Sequence, residues 1–361
     1  MATQTHPPTE TATAPEVRRS GILVRVVLAF GLIAVLSALV GVVLSGASYE
    51  PAPGGLPDAG PVVGWLLPVV GALTFAAAMA TVGWLLLAGF LDPTAGKTTV
   101  SRRGRTALLR ASAAAGVWCV LSLVAAVFKL ASILGIDLGT AVGSSTFTTY
   151  AWDIIDVRTL LICALLAAVI CVGAAISVSL TGTTVWFVMA VVAVAVPAMA
   201  GHAAGLGDHG LALVNGVAHA VAATVWVGGL IALGATVWPK AETVGIAVRR
   251  FGLLAMACVV VLVASGIANA YVRLGSPADL VTSGYGRLVL AKSALLIALV
   301  AIAAWIRKRL LPQLTGDKSR RTFAKLAGLE LALMGIASGL GVALSVDVYK
   351  RQGLICFISS A

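Results

Sequence analysis

The chain has 361 residues, 60% of them hydrophobic and 11% charged, with 39 glycines and a mean hydropathy of +1.03. These values exclude an ordinary soluble globular protein and point to a chain whose solvent is the bilayer. A formal net charge of +11 reads as basic loops beside apolar helices rather than as a nucleic-acid surface.

Residues 1–20, rich in Thr, Pro and Ala, are expected to be a disordered tail. Nine apolar stretches follow, near 21–46, 62–90, 107–134, 159–179, 184–205, 210–238, 251–273, 286–306 and 326–346. Each is long enough to cross about 30 Å of hydrocarbon at about 1.5 Å per residue. The fold class expected is therefore all-α, a polytopic membrane helix bundle of about nine transmembrane helices, with residues 21–346 as one domain. The first stretch lacks a small-residue cleavage site and reads as a retained helix.

Charge orients the bundle. Arg18, Arg19 and Arg25 flank the first stretch, and Lys97, Arg102, Arg103 and Arg105 fill the second loop. Lys240, Arg249 and Arg250 fill the sixth loop, and a run from Arg307 to Lys325 fills the eighth. These connections are expected to be cytoplasmic, as is the N-terminus, in a multi-pass plasma-membrane protein. The alternate loops carry Glu50, Asp58, Asp137, Asp153, Asp156, Asp208 and Asp279 and face outward. The long connection from Gly135 to Val157 contains Phe147, Tyr150 and Trp152, which suit the headgroup region or a lid over the outer mouth. Cys119, Cys163, Cys171 and Cys258 lie inside apolar helices and form no C-x-x-C pair, so they read as packing residues.

Three of the four histidines, His202, His209 and His219, fall where the fifth stretch ends and the sixth begins. An imidazole in lipid is costly without a partner, so the cluster suggests a ligand site. Met199 shares a helix face with His202, and Asn215 shares one with His219, at spacings of three and four residues. A thioether and neutral imidazoles suit a soft copper ion, whereas hard cations require oxygen ligands. The metal set is therefore His202, His219, Met199 and His209, with Asn215 orienting His219 and His209 collecting the ion beside Asp208. Simple interhelical hydrogen bonding of the histidines is the competing account.

A second polar group gathers on the same side: Asn269 at the end of the seventh stretch, and Tyr285, Arg287 and Lys292 at the start of the eighth. Lys292 lies deep enough that leaving it unpaired would cost a few kcal/mol. It either snorkels to the headgroups or, with Arg287, pairs with outer carboxylates or an anionic ligand. No phosphate loop, Ser-His-Asp arrangement or hydrolytic carboxylate pair is present, and no enzyme is expected.

The runs Gly201-His202-Ala203-Ala204 and His219 to Leu230, then Ser265 to Ala270 and Tyr285 to Lys292, resemble the copper resistance protein D (CopD) family over roughly residues 184–312. That resemblance implies an inner-membrane protein moving copper between periplasm and cytoplasm, with His202 and His219 as the motif histidines. A periplasmic copper chaperone, or a following cytochrome c oxidase assembly (CtaG-like) domain, would be the implied partners besides copper and the lipid bilayer. Two other readings stay open: a b-type haem electron carrier with His202 and His219 as axial ligands, and an oxidase assembly factor that does not transport. The run Val346 to Gln352 resembles translated adapter sequence, so residues 347–361 are expected to be non-native and the chain truncated.

Overall fold

A computed structural model describes residues 57–200, 209–236, 241–273, 276, 278–305 and 308. It also describes the short pieces 29–33, 35–37, 39–40, 43, 49, 328–330 and 332–337. The terminal segments 1–20 and 347–361, His202 and Asp208 lie outside the described residues.

The described chain is helical. Helix α1 spans Gly60–Leu86 and runs into a π-helical turn, Leu87–Leu91. Then come α2 (Arg102–Leu134), α3 (Leu138–Val142), α4 (Ser144–Tyr150), α5 (Ile155–Ile176) and α6 (Leu180–Ala200). They are followed by α7 (His209–Gly234), α8 (Ala241–Arg273), α9 (Asp279–Thr282) and α10 (Gly284–Trp305). No strand forms among the described residues; one isolated bridge joins Thr99 to Ser179.

Local sequence sets the helix ends. Pro61 opens α1, where its missing N–H costs nothing, and the Ser101 side chain caps α2 by accepting from the Gly104 N–H at 2.9 Å. Gly135, at φ 63°, closes α2 in the left-handed conformation that glycine adopts without penalty.

Six helices are long and apolar enough to cross a membrane: Gly60–Leu91, Arg102–Leu134, Ile155–Ile176, Leu180–Met199, Leu213–Gly234 and Thr243–Tyr271. Shorter apolar helices, Val289–Trp305 and Gly328–Ala337, stand where the eighth and ninth stretches were expected, and the described pieces of the first stretch are helical. The chain is a polytopic helical membrane protein. Helices α2 and α8 begin before their apolar stretches, at Arg102 and Ala241. Hydropathy registers only the part in hydrocarbon, while basic residues carry the helix on beyond it. The connection from Gly135 to Val157 is not irregular either. Asp137 caps α3, accepting from the Thr140 N–H at 3.0 Å, and α4 places Phe147 against Ala126, Leu130, Ala151 and Val157. Trp152 stays 59% exposed.

Small residues build the core. Helix α1 packs on α2, α6 and α7, α2 on α5, and α7 on α8. Ala111, Ala115, Ala167, Ala174, Ala190 and Ala193 are fully buried at these seams, around Met79, Trp118 and Ile231. With lipid no less apolar than leucine, close backbone packing rather than hydrophobicity draws helices together. The closest approach is between Gly83 of α1 and Gly228 of α7, where a methyl group on Gly83 would lie 1.9 Å from the Gly228 carbonyl oxygen.

One end of the bundle is tied by Asp92. Its buried carboxylate accepts from the Thr94 N–H at 3.0 Å, the Thr94 hydroxyl at 2.7 Å, the Ser101 hydroxyl and the Arg103 guanidinium at 3.1 Å. Arg250 of α8 donates to the carbonyls of Phe90 at 3.2 Å and Asp92 at 3.4 Å, and Arg105 donates to the Ser177 carbonyl at 2.9 Å. Burial alone would raise the Asp92 carboxyl, but these hydrogen bonds and the Arg103 charge outweigh it and hold it below the ordinary carboxylate value. Because the folded value is the lower one, the stabilisation is complete above about pH 3.8, the ordinary value, and is lost as pH falls through the folded value. Acid unfolding of the detergent-solubilised protein should therefore have a component below that pH which Asp92→Asn removes; identical acid limbs for both proteins would refute it.

Candidate metal-handling site

Away from that end, α7 carries His219 and opens at His209. Helix α7 carries Asn215 and His219 one turn apart, facing α8, which carries Ser265 and Asn269 at the same spacing. Asn215 Nδ2 donates to the Ser265 carbonyl at 3.0 Å, and His219 Nδ1 lies 2.8 Å from the Ser265 hydroxyl. Since α7 and α8 run antiparallel, these contacts place Asn215 level with Asn269 and His219 level with Ser265.

The Ser265 hydroxyl also lies 3.2 Å from the Leu262 carbonyl, to which it can donate its one proton. With the proton there, it would accept from Nδ1–H, and Nε2 would be the nitrogen offered to a soft metal, with the other ring nitrogen held by an oriented partner. Ser265 is 3% exposed. The sequence pointed to Asn215 as the partner of His219; Ser265 is instead the residue that both reach. Its signal was the matching four-residue spacing of Ser265 and Asn269 opposite Asn215 and His219.

The other expected ligands are placed as follows. Met199 is one residue from the end of α6 and is 46% exposed. His209 opens α7, its side chain outside the description, as is the whole of His202. Among the described residues no three His, Cys, Asp or Glu side chains gather closely enough to hold a metal ion.

Of the second polar group, Asn269 lies one turn beyond Ser265 on α8, and Arg287 is exposed on α10. Tyr285 is on α10 with its side chain outside the description, and Lys292 is partly exposed there, making no hydrogen bond or ion pair among the described residues. The carboxylate of Asp156 faces Lys129 of α2, 3.9 Å away, while Asp153 is exposed. Lys129 thus has an acidic neighbour across the α2–α5 seam, as a cation in this position requires.

Further along the α7–α8 seam, Trp226 and Cys258 are both 6% exposed, whereas Met256 turns outward at 53%. Of these two sulfur side chains, only that of Cys258 lies within the bundle.

Neither the curated proteins nor the solved structures give a match to the chain. The family model for copper resistance protein D (CopD) matches residues 245–344, which include Ser265, Asn269, Tyr285, Arg287 and Lys292. His202 and His219 precede the matched stretch, and the polar seam joins His219 to it through Ser265. Over that stretch, in little more than a quarter of its length, this membrane-spanning chain is similar to the CopD family of copper resistance membrane proteins.

Proposed function

We propose that the protein carries copper across, or delivers it through, the plasma membrane, taking the ion at the outer face and holding it on His219 together with His202. In this reading Met199 and His209 add soft and surface ligands at the mouth, and Asn269, Tyr285, Arg287 and Lys292 form a second polar group for the copper pathway. The observation that carries this reading is the 2.8 Å contact between His219 Nδ1 and the buried Ser265 hydroxyl, the oriented partner that a metal-bound imidazole needs on its other nitrogen. The family match supplies copper as the cargo. Neutral imidazoles and a thioether favour the monovalent ion.

Orientation follows from charge. Arg103, Arg105 and Arg250 gather at the Asp92 end of the bundle and make that end cytoplasmic. The histidines then face the periplasm, where a copper chaperone would dock, and the N-terminus is cytoplasmic. A CtaG-like assembly domain is a further partner of this reading. The protein performs no covalent chemistry of its own here.

Purified protein loaded with copper(I) tests it. His219→Ala should lose the outer ion, and Ser265→Ala should weaken it by about 10- to 100-fold by freeing the ring. Copper content measured beside an optical spectrum decides the cargo: a Soret band in wild type would replace copper with the haem reading. Wild-type copper binding with no uptake into vesicles would replace transport with assembly.

A further inference from the structure

The α2–α5 seam lies outside the stretch that matches the CopD family, and packing does not account for its chemistry. The Ser122 hydroxyl donates to the Cys163 sulfur at 3.8 Å, and the Ser112 hydroxyl lies 3.6 Å from the Cys171 sulfur. These contacts share one antiparallel register with Lys129 and Asp156 at one end of the seam and Arg105 and Ser177 at the other. Cys119 is three residues from Ser122 on the same face of α2, about 4.5 Å along the axis from the level of Cys163. Cys171, level with Ser112, follows about 10 Å further on. Cys163 is 1% exposed and all three thiols are free.

Three sulfurs on one seam between two spans are thiol donors, which the ligand set proposed for the histidine end does not include. They are spaced in depth and do not close on one ion together, the arrangement of a ladder rather than of a storage site. We propose that the α2–α5 seam is a second soft-metal site, taking a monovalent copper ion between Cys119 and Cys163 and offering Cys171 as the next rung toward the Asp92 end. This rests on copper being the cargo, but not on the histidines being its ligands.

Charge balance suits the setting. The ion replaces the proton of one thiol, and the second sulfur donates as a neutral thiol, so the apolar seam gains no net charge and the proton leaves to water. The hydroxyls of Ser122 and Ser112 turn toward the sulfurs and support the thiolate as it forms. Binding should weaken about tenfold for each unit that pH falls below the thiol range.

The test uses the whole chain in detergent, titrated anaerobically with copper(I) from a chelate buffer. X-ray absorption at the copper edge reports sulfur scatterers. Wild type should show them, the double variant Cys119→Ser with Cys163→Ser should lose them together with one copper per chain, and His219→Ala should keep them. Cys258→Ser, on another seam, should leave them unchanged. In unmodified protein, copper(I) should protect Cys119, the partly exposed thiol of the pair, from alkylation by maleimide, a readout that needs no variant to fold. Sulfur scattering and copper content unchanged in the double variant, or no protection of Cys119, would overturn the ladder and leave the histidine reading standing. Loss of the sulfur scatterers along with all bound copper in His219→Ala would do the same. Wild type that binds no copper(I) at all would overturn both.

Discussion

Replacing Gly228 with alanine is expected to cost about 3 kcal/mol or more, and leucine there should prevent the bundle from assembling. A methyl group on Gly228 would lie 2.2 Å from the carbonyl oxygen of Met79, and one on Gly83 would lie 1.9 Å from that of Gly228. Both obstructions are backbone atoms inside helices, so no side chain can swing aside, and α1 and α7 would have to separate along their whole contact. Met79 and Val82, both 0% exposed, would lose their packing with it. The control is Gly266→Ala in α8, where a methyl group meets nothing within 4 Å. Alanine's helix propensity should make that change neutral or stabilising by up to about 1 kcal/mol. Unfolding of purified variants in mixed detergent distinguishes the two, and equal stabilities would show that the glycine contact does not hold the bundle together.

Asp92→Ala comes next in expected size, at roughly 3 kcal/mol. That figure is the lower end for breaking a buried pair, because the Arg103 side chain is 20% exposed and recovers some hydration. The change strands Arg103 and the hydroxyls of Ser101 and Thr94 and loosens the loop whose carbonyls hold Arg250 of α8. Asp92→Asn, which keeps the shape and can still accept from Thr94, should lose about half as much. Thermal unfolding at neutral pH measures both; an alanine variant as stable as wild type would mean that Arg103 and Arg250 find other partners.

The class of the protein was legible because the bilayer leaves few choices. A run of about twenty apolar residues has to satisfy its backbone internally, and only a helix does so within one segment. The second through seventh apolar stretches accordingly coincide with the six long helices. His219 was marked out by the cost of an imidazole in lipid. Its partner was not, because Ser265 is unremarkable in sequence and matters only once α8 brings it opposite. Asp92 was likewise invisible: next to Pro93 and a basic loop it reads as an ordinary turn residue, and its burial depends on Arg103, Ser101 and Arg250 arriving from two other helices.

Composition and hydropathy thus determined, unaided, that this chain crosses the membrane repeatedly as helices, since transfer free energy is a property of each segment alone. Which faces meet was decided only by the folded bundle. The register of α7 on α8 selects Ser265 for His219, and that of α2 on α5 lines up Cys119, Cys163 and Cys171. Helix rotation and register come from interdigitation of small side chains between spans, and no single span encodes them.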